Sequence, residues 1–240
     1  MAEALTQDQR TPDWFAARVG KFTASEFKDV VERKSTINKK DADGKAIPIF
    51  GADGKPTKEN EKEDKAAYTD LICRLAFERM TGRPGKDAFF SMATQHGTDT
   101  EPFSLEAYSI EKGCLVQQSG FLLHPKYDFV GCSPDGLVGD VGGVEAKCPK
   151  SSVIHMRRLK TGMPPEFKWQ CVGAMWVTGR KWWDWVSYNA DLHESSGLEL
   201  GLYIHRIERS EQEIQLLEWS ILQANAEVEA LIKELRKRVA

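Results

Sequence analysis

Asp135, Glu145 and Lys147 are the residues of this 240-residue chain whose types and spacing could do chemistry. Asp135 stands in Ser-Pro-Asp-Gly, where proline and glycine fix a turn, and Glu145 and Lys147 flank Ala146 in the stretch GGVEAK. Side chains alternate faces along a strand, so Glu145 and Lys147 point one way and Ala146 the other. The return through GDVGG brings Asp135 beside Glu145, which gathers two carboxylates and one ammonium. Carboxylates that close repel each other unless a cation joins them. Mg2+ suits the pair, because it takes hard oxygen ligands and keeps several waters for substrate phosphates; the backbone carbonyl of Ala146 can add a ligand. A lysine beside such a metal can stabilise a developing hydroxide or a charged phosphorane, and the metal's charge lowers its pKa. This is equipment for water attacking a phosphodiester. An isolated D…ExK is more often a surface hairpin with an ordinary Glu/Lys pair. Here the apolar strand around Lys147 and the fixed turn at Asp135 set the pattern apart.

The elements that must position these groups follow from periodicity and punctuation. A short helix carries Trp14 and Arg18, and Thr23 with Glu26 reads as the capping box of a second helix starting at TASEF. Residues 34–62 hold two Asp-Gly turns, two prolines and many charges, and read as a flexible insertion, in part a hairpin. DKAAYTDLICRLAFERMTG has helical spacing with a glycine stop, and a further helix spans about Thr94 to Lys112 before Gly113. Short strands follow in CLVQQ, GFLLH, DFVGC and GGVEAK. Helices around 151–161 and 166–178 come next, then the strands WWDWVSYN and LGLYIHRIER, and a last amphipathic helix capped by Ser210 with Glu213. The order predicts an α/β fold: one domain over residues 1–240 with a central mixed β-sheet flanked by helices.

Composition bounds the function classes. The chain is 41% hydrophobic and 10% aromatic, enough for a substantial core, and its net charge of -3 does not announce a polyanion binder. Bound divalent metal can supply a positive field locally. The five cysteines form no C-x-x-C pair, which argues against zinc or iron–sulfur sites and reads as reduced thiols in a cytoplasm. MAEALTQDQR lacks a signal-peptide pattern, and no apolar run reaches membrane-spanning length. His96 and His155 read as solvated or hydrogen-bonded histidines rather than ligands. Trp183 and Trp185 share a strand face and read as core or interface packing ahead of base stacking. HMRRLKTG, with Arg157, Arg158 and Lys160, reads equally as a phosphate-backbone track or a solvated helix face.

Pro134-Asp135 with Glu145-Ala146-Lys147 resembles the PD-(D/E)XK nuclease superfamily, giving the expected restriction-endonuclease-like core, and within it the chain resembles the phage lambda exonuclease family of viral recombination nucleases. The segments DWFAARVGKFTASEF, HGTDTEPFSLEAY, CSPDGL, VEAKCPKS and QCVGAMWVTG carry the likeness in family order over roughly residues 13 to 180. The resemblance implies that Asp135, Glu145 and the helix-borne Glu101 hold one or two Mg2+ ions, with Mn2+ able to substitute. It implies that Lys147 is the catalytic lysine, that Gln170 lies at the active site, and that Arg18, grouped with Trp14, holds a DNA 5′-phosphate with Ser25 and Ser133. A guanidinium offers a bidentate fork to phosphate, and small hydroxyls fill the remaining acceptors.

The expected activity is a Mg2+-dependent 5′→3′ exonuclease on double-stranded DNA ends, phage- or prophage-encoded and cytoplasmic in a bacterial host. A ring-shaped homotrimer and a single-strand annealing partner belong to the same expectation. A restriction-type or structure-specific endonuclease would use the same metal site. A non-catalytic DNA-binding scaffold is the third reading, and the intact acids and lysine argue against it. Two departures from the family pattern stand out: Val172 replaces the second glutamine of a Gln-x-Gln, and the 34–62 insertion matches nothing. From WWDWVSYN onward the likeness is weak.

Overall fold

The alternation of side chains along the strand Gly142–Lys147 decides how the layers stack in the computed structural model, which describes residues 9–38, 48–50, 56–58, 60–85, 92–196 and 198–238. Val144 and Ala146 enter one apolar cluster with Leu105, Ala107 and Tyr108 of the helix Met92–Lys112. Glu145 and Lys147 leave the opposite face, as their spacing predicts. On the neighbouring strand Trp182–Tyr188 the same division puts Val186 and Tyr188 with that helix, while Trp183 and Trp185 enter the larger core. Both indoles are fully buried, so they serve packing and not base stacking.

Among the described residues the main sheet has five strands, in the order Leu202–Glu208, Trp182–Tyr188, Gly142–Lys147, Gly136–Val138, Val116–Gln117. The central pair is parallel and the rest antiparallel, which makes the sheet mixed. The parallel pair needs a crossover, supplied by the helices Ser152–Thr161 and Lys168–Thr178. A smaller sheet joins Phe22–Thr23, Val130–Cys132 and Leu122–Leu123. The helix Lys168–Thr178 is buried along most of its length, from Trp169 to Val177. It sits between the main sheet and the helices Phe27–Val31 and Glu211–Lys237, so it is apolar all round, as a sandwiched helix must be. Ser210 caps the last helix by accepting from the Glu213 backbone N–H.

Some expectations change. Thr23 does not cap a helix: Ala24–Glu26 form a single 3-10 turn, and the Thr23 hydroxyl donates to the Glu26 carboxylate at 3.0 Å. Arg74 bonds that carboxylate at 2.6 Å and draws it away from the backbone. The described parts of the insertion form antiparallel pairs, Lys34–Asn38 with Asn60–Asp64 and Pro48–Phe50 with Pro56–Lys58; residues 39–47, 51–55 and 59 lie outside the described residues. Two short helices, Ala190–Ser196 and Leu198–Gly201, precede the edge strand and carry no periodic apolar signal. Arg158 is buried and does not extend an exposed basic track, whereas Arg157 and Lys160 are exposed.

The strand that carries the acid begins Gly142-Gly143 because indoles lie across it. A Cβ on Gly143 would come within 2.3 Å of the fully buried Trp183 ring, which has no room to retreat. Gly143→Ala is therefore expected to lower stability by roughly 1–3 kcal/mol, the usual range for overpacking, as read by urea denaturation.

Candidate active site

Three elements deliver the chemistry to one place. The turn after Val130–Cys132 presents Ser133 and Asp135, the strand Gly142–Lys147 presents Glu145 and Lys147, and the helix Lys168–Thr178 presents Gln170. Asp135 is held by the strand it faces: its Oδ2 accepts from the Ala146 N–H at 2.7 Å. Arg180 fixes the intervening turn by donating to the carbonyls of Gly139 and Gly142 at 2.6 Å each and to that of Val138 at 3.3 Å. The Glu145 carboxylate, 3% exposed, accepts from Lys147 Nζ and from Gln170 Nε2 through the same oxygen, Oε1.

The electrostatics are those of acids brought together without enough compensation. Burial, and then repulsion from Glu145, pushes the Asp135 carboxyl well above the usual range. Burial also raises Glu145, although Lys147 opposes the shift. For Lys147, burial acts to lower the pKa, but the combined pull of Glu145 and Asp135 outweighs it and leaves the amine raised. The acids, and not the desolvation, thus set its charge, and Lys147 stands beside Glu145 as an ammonium. Glu101 adds negative charge to both acids from the helix Met92–Lys112. Its Oε2 is held by Arg10 at 2.7 Å. Arg10 is 43% exposed. A pair so open to solvent is worth about 0–1 kcal/mol, so a divalent ion can displace it.

The donor set fits Mg2+ or Mn2+. Among the described residues no group of three or more His, Cys, Asp and Glu is placed to hold a metal ion, so the expected third acid, Glu101, does not close on Asp135 and Glu145 here; its carboxylate is turned to Arg10 instead. Among the described residues none donates a hydrogen bond to Asp135 Oδ1 or Glu145 Oε2, and Mg2+ is commonly held by one or two carboxylates plus water and substrate phosphate. The neighbouring thiols of Cys132 and Cys171 are pushed up by burial and then by the Glu145 charge, which leaves the carboxylates as the anionic donors of the cleft. The Ala146 carbonyl belongs to the same strand.

Beside the acids lies a pocket built for an anion. The Arg18 guanidinium stacks 4.2 Å from the Trp14 ring centroid and donates to Ser133 Oγ at 2.9 Å. Trp14 Nε1 donates to the same oxygen at 3.0 Å. Ser133 already accepts two bonds, so its own proton is left to donate. Thr23 gives its proton to Glu26, which makes Ser25 the donor in their 3.2 Å contact. Burial lowers the Arg18 pKa, with Glu26 opposing; a guanidinium still remains charged. Gly20, at φ 72° just past the helix Pro12–Arg18, turns the chain back and donates to the buried Glu78 Oε2 at 2.7 Å. That contact anchors the end of the helix that carries Arg18.

The two halves form one cleft of about 170 Å3, lined on one side by Trp14, Arg18, Thr23, Ser25 and Ser133 and on the other by Asp135, Glu145 and Gln170. Every one of the sequence-predicted side chains is at this place or touches it; Glu101 acts from its edge through charge. Sequence reasoning missed Gln9, Arg10 and Thr23, which also line the cleft. Gln9 Nε2 reaches the backbone carbonyls of Ser119 and Pro134 at 3.0 and 2.7 Å, and Arg10 takes the left-handed φ of 69°. Neither carries a sequence signal. Thr23 did, one residue from Ala24-Ser25 in TASE, but it read as a helix cap. His155 is buried and bonded to Ser187 and to the Leu200 carbonyl, and His96 lies on the helix Met92–Lys112.

A family model of the YqaJ-like viral recombinase domain matches residues 13–181. The chain is similar to a crystal structure of an alkaline exonuclease from Laribacter hongkongensis, at 33% identity over 95% of this chain and 98% of that one, with a TM-score of 0.74. A structure of the same exonuclease in complex with dAMP matches at 33% identity over the same shares of both chains, with a TM-score of 0.76. A phage related exonuclease from Haemophilus somnus 129PT shares the fold at 16% identity, covering 90% of this chain and 96% of that one, with a TM-score of 0.60. No curated protein matches the sequence. The mixed α/β architecture is thus that of the alkaline exonuclease structures, a PD-(D/E)XK-like core.

The raised carboxyls make a pH prediction. The folded chain binds more protons than the unfolded one, so in EDTA stability should fall as pH climbs from the ordinary carboxylate range through the raised pKa values of Asp135 and Glu145. Asp135→Asn, which removes one of the two charges, should flatten that decline and leave the variant the more stable of the two proteins at alkaline pH. Thermal unfolding of both proteins across pH reads the difference.

Proposed function

The chain belongs to the YqaJ-like viral recombinase family, and from that membership and the cleft described above we propose that it is a Mg2+-dependent 5′→3′ exonuclease on double-stranded DNA. It would release 5′-mononucleotides and leave 3′ single-stranded overhangs for recombination. One observation carries this reading: the anion pocket of Arg18, Ser25 and Ser133 opens into the same cleft as the carboxylate pair. A terminal phosphate held at one end of so small a cleft leaves the next phosphodiester at the acids, which favours single-nucleotide steps from the 5′ end. The complex of the similar Laribacter exonuclease with dAMP, a mononucleotide, agrees with a pocket of that size.

Asp135 and Glu145 would hold the metal, with the Ala146 carbonyl and Glu101 at its border. When bound, Mg2+ supplies Lewis-acid polarisation of the scissile phosphate and a lowered pKa for the attacking water. Gln170 and Lys147 share Glu145 Oε1 and so direct its other oxygen toward the cleft. Lys147, kept as an ammonium by the acids, stabilises negative charge as it grows on the attacked phosphate. Arg18 clamps the end phosphate through its planar fork, with Trp14 stacked on the guanidinium to fix its plane. The Ser133 hydroxyl, whose proton is left to donate, completes the phosphate's acceptors, and Ser25 would join it by turning its proton from Thr23. Burial of this pocket keeps the clamp strong, because charge-assisted bonds weaken in contact with water.

The family membership and the match to exonuclease structures support DNA as the substrate. They also make a homotrimer around the duplex and an annealing partner on the exposed strand part of the proposal, in the cytoplasm of a bacterial host. Among the described residues no helix is long and apolar enough to cross a membrane.

Linear duplex labelled separately at each end, with and without Mg2+, tests the reading. Loss of 5′ label as mononucleotide, only with Mg2+ and with closed circles left intact, is expected; linearised circles would make the protein an endonuclease, and untouched linear duplex would remove the activity. Arg18→Ala should abolish the preference for 5′-phosphate over 5′-hydroxyl ends, with kcat/KM on phosphorylated ends down by about a hundredfold, in line with the loss of a bidentate charged contact. A preserved preference would take Arg18 out of the end pocket.

A further inference from the structure

Arg158 is a buried cation that the chemistry above does not use. It lies on the helix Ser152–Thr161 and is only 9% exposed. Nη1 donates to Ser187 Oγ at 3.2 Å, while among the described residues the buried Nε has no hydrogen-bond partner. Among the described residues no carboxylate forms an ion pair with it; Glu166 lies near enough only to act through its field. An arginine buried without an acid is costly, and such a charge normally acquires a partner.

The surroundings fix the guanidinium without neutralising it. It lies 5.2 Å from the Trp185 ring centroid and 5.5 Å from that of Phe167, which are cation–π distances. Ser187, its one hydrogen-bond partner, is held in turn by His155 Nδ1 at 2.9 Å, and His155 Nε2 is tied to the Leu200 carbonyl at 2.8 Å. A side chain required only to fill space would not need this support, nor a full charge at its tip.

Its place relative to the acids is set by strand register. Ser187 is the Cα partner of Lys147 in the parallel pair, so the two side chains leave the same face of adjacent strands, about 4.8 Å apart. Lys147 Nζ lies 5.5 Å from the Phe167 centroid, the ring that Arg158 also covers. Phe167 is thus a ring that both cations share. The cleft lining includes neither of them: it runs from Arg18 to Glu145 and Gln170, and Lys147 and Arg158 lie beyond.

We propose that Arg158 binds a DNA backbone phosphate next to the scissile one, on the strand being cut and on the side of Lys147 away from the Arg18 pocket. This rests on the nuclease reading above and adds a second phosphate contact to it. Arg18 would hold the strand before the cut and Arg158 after it, so that the scissile phosphodiester is pulled straight across Asp135 and Glu145. The unpaired guanidinium supplies the fork that phosphate recognition uses, and its missing counter-charge arrives with the substrate.

The test is equilibrium binding of a fluorescent 5′-phosphorylated duplex in EDTA, over a range of salt, by the unmodified protein and by Arg158→Gln. Each phosphate contact contributes about 0.9 to the slope of log K against log salt. The variant should therefore show a slope smaller by about 0.9 and bind on the order of tenfold more weakly at low salt. Arg158→Lys, which keeps the charge, should restore the slope. A folded Arg158→Gln with the unmodified slope overturns the proposal and leaves Arg158 a packing residue. Should Arg158→Gln fail to fold, the Nε–H resonance of Arg158 in the unmodified protein, assigned with Arg158→Lys, decides: a shift on adding duplex is expected, and an unmoved resonance overturns the proposal. Failure of the nuclease reading looks different: the unmodified protein would then leave the linear duplex uncut when Mg2+ is restored, whatever its salt slope in EDTA.

Discussion

Two carboxylates brought together in one cleft, Glu145 buried and Asp135 half-buried, with one ammonium to answer them, are the constraint around which this molecule is arranged. Asp135 and Glu145 are both held above their ordinary pKa by burial and by one another. Lys147 and Gln170 settle on a single oxygen of Glu145, and among the described residues its other oxygen and Asp135 Oδ1 receive no donor. The shortfall of positive charge is local, since the chain as a whole carries only -3. A divalent cation with oxygen preference would meet that shortfall, and on the proposed reading a phosphodiester brought to it would be placed for hydrolysis.

Keeping such a pair together takes a stiff frame, and the frame is polar as well as apolar. Arg180 ties the hairpin turn through three carbonyls, so the reach from Asp135 to Glu145 is not left to a loose loop. Behind the sheet, the fully buried Asp184 takes a bidentate bond from Arg206 and a 2.7 Å bond from Tyr108. That network pins the helix bearing Glu101 to the strand beside the acids. On the other side, Arg74, Glu26 and Thr23 form a chain that orients the hydroxyls of the anion pocket. Removing one member of a buried network costs more than its own bond, because its partners are left unpaired.

The central elements could be read from the sequence because each depends on neighbours close in the chain. Alternation in GGVEAK places Glu145 and Lys147, the Pro-Asp-Gly turn places Asp135, and Ser210 with Glu213 marks the start of the last helix; local geometry decides all of them. Thr23 was misread for the opposite reason: its hydroxyl answers to Glu26, which Arg74 holds from a helix some fifty residues away. The burial of Arg158 was equally hidden, since the rings that cover it come from Phe167 and from Trp185 on the next strand. Gln9 and Arg10 show the same limit, as their partners lie about a hundred residues downstream. Spacing reveals what shares an element, and long-range partners decide what faces the cleft.

The most direct measurement is an anomalous difference map from crystals of the unmodified protein soaked in Mn2+. A peak bridging the carboxylate oxygens of Asp135 and Glu145, with Arg10 drawn off Glu101, is the expected result. Crystals saturated with Mn2+ that show no peak between those two side chains, or a peak only elsewhere, would contradict it.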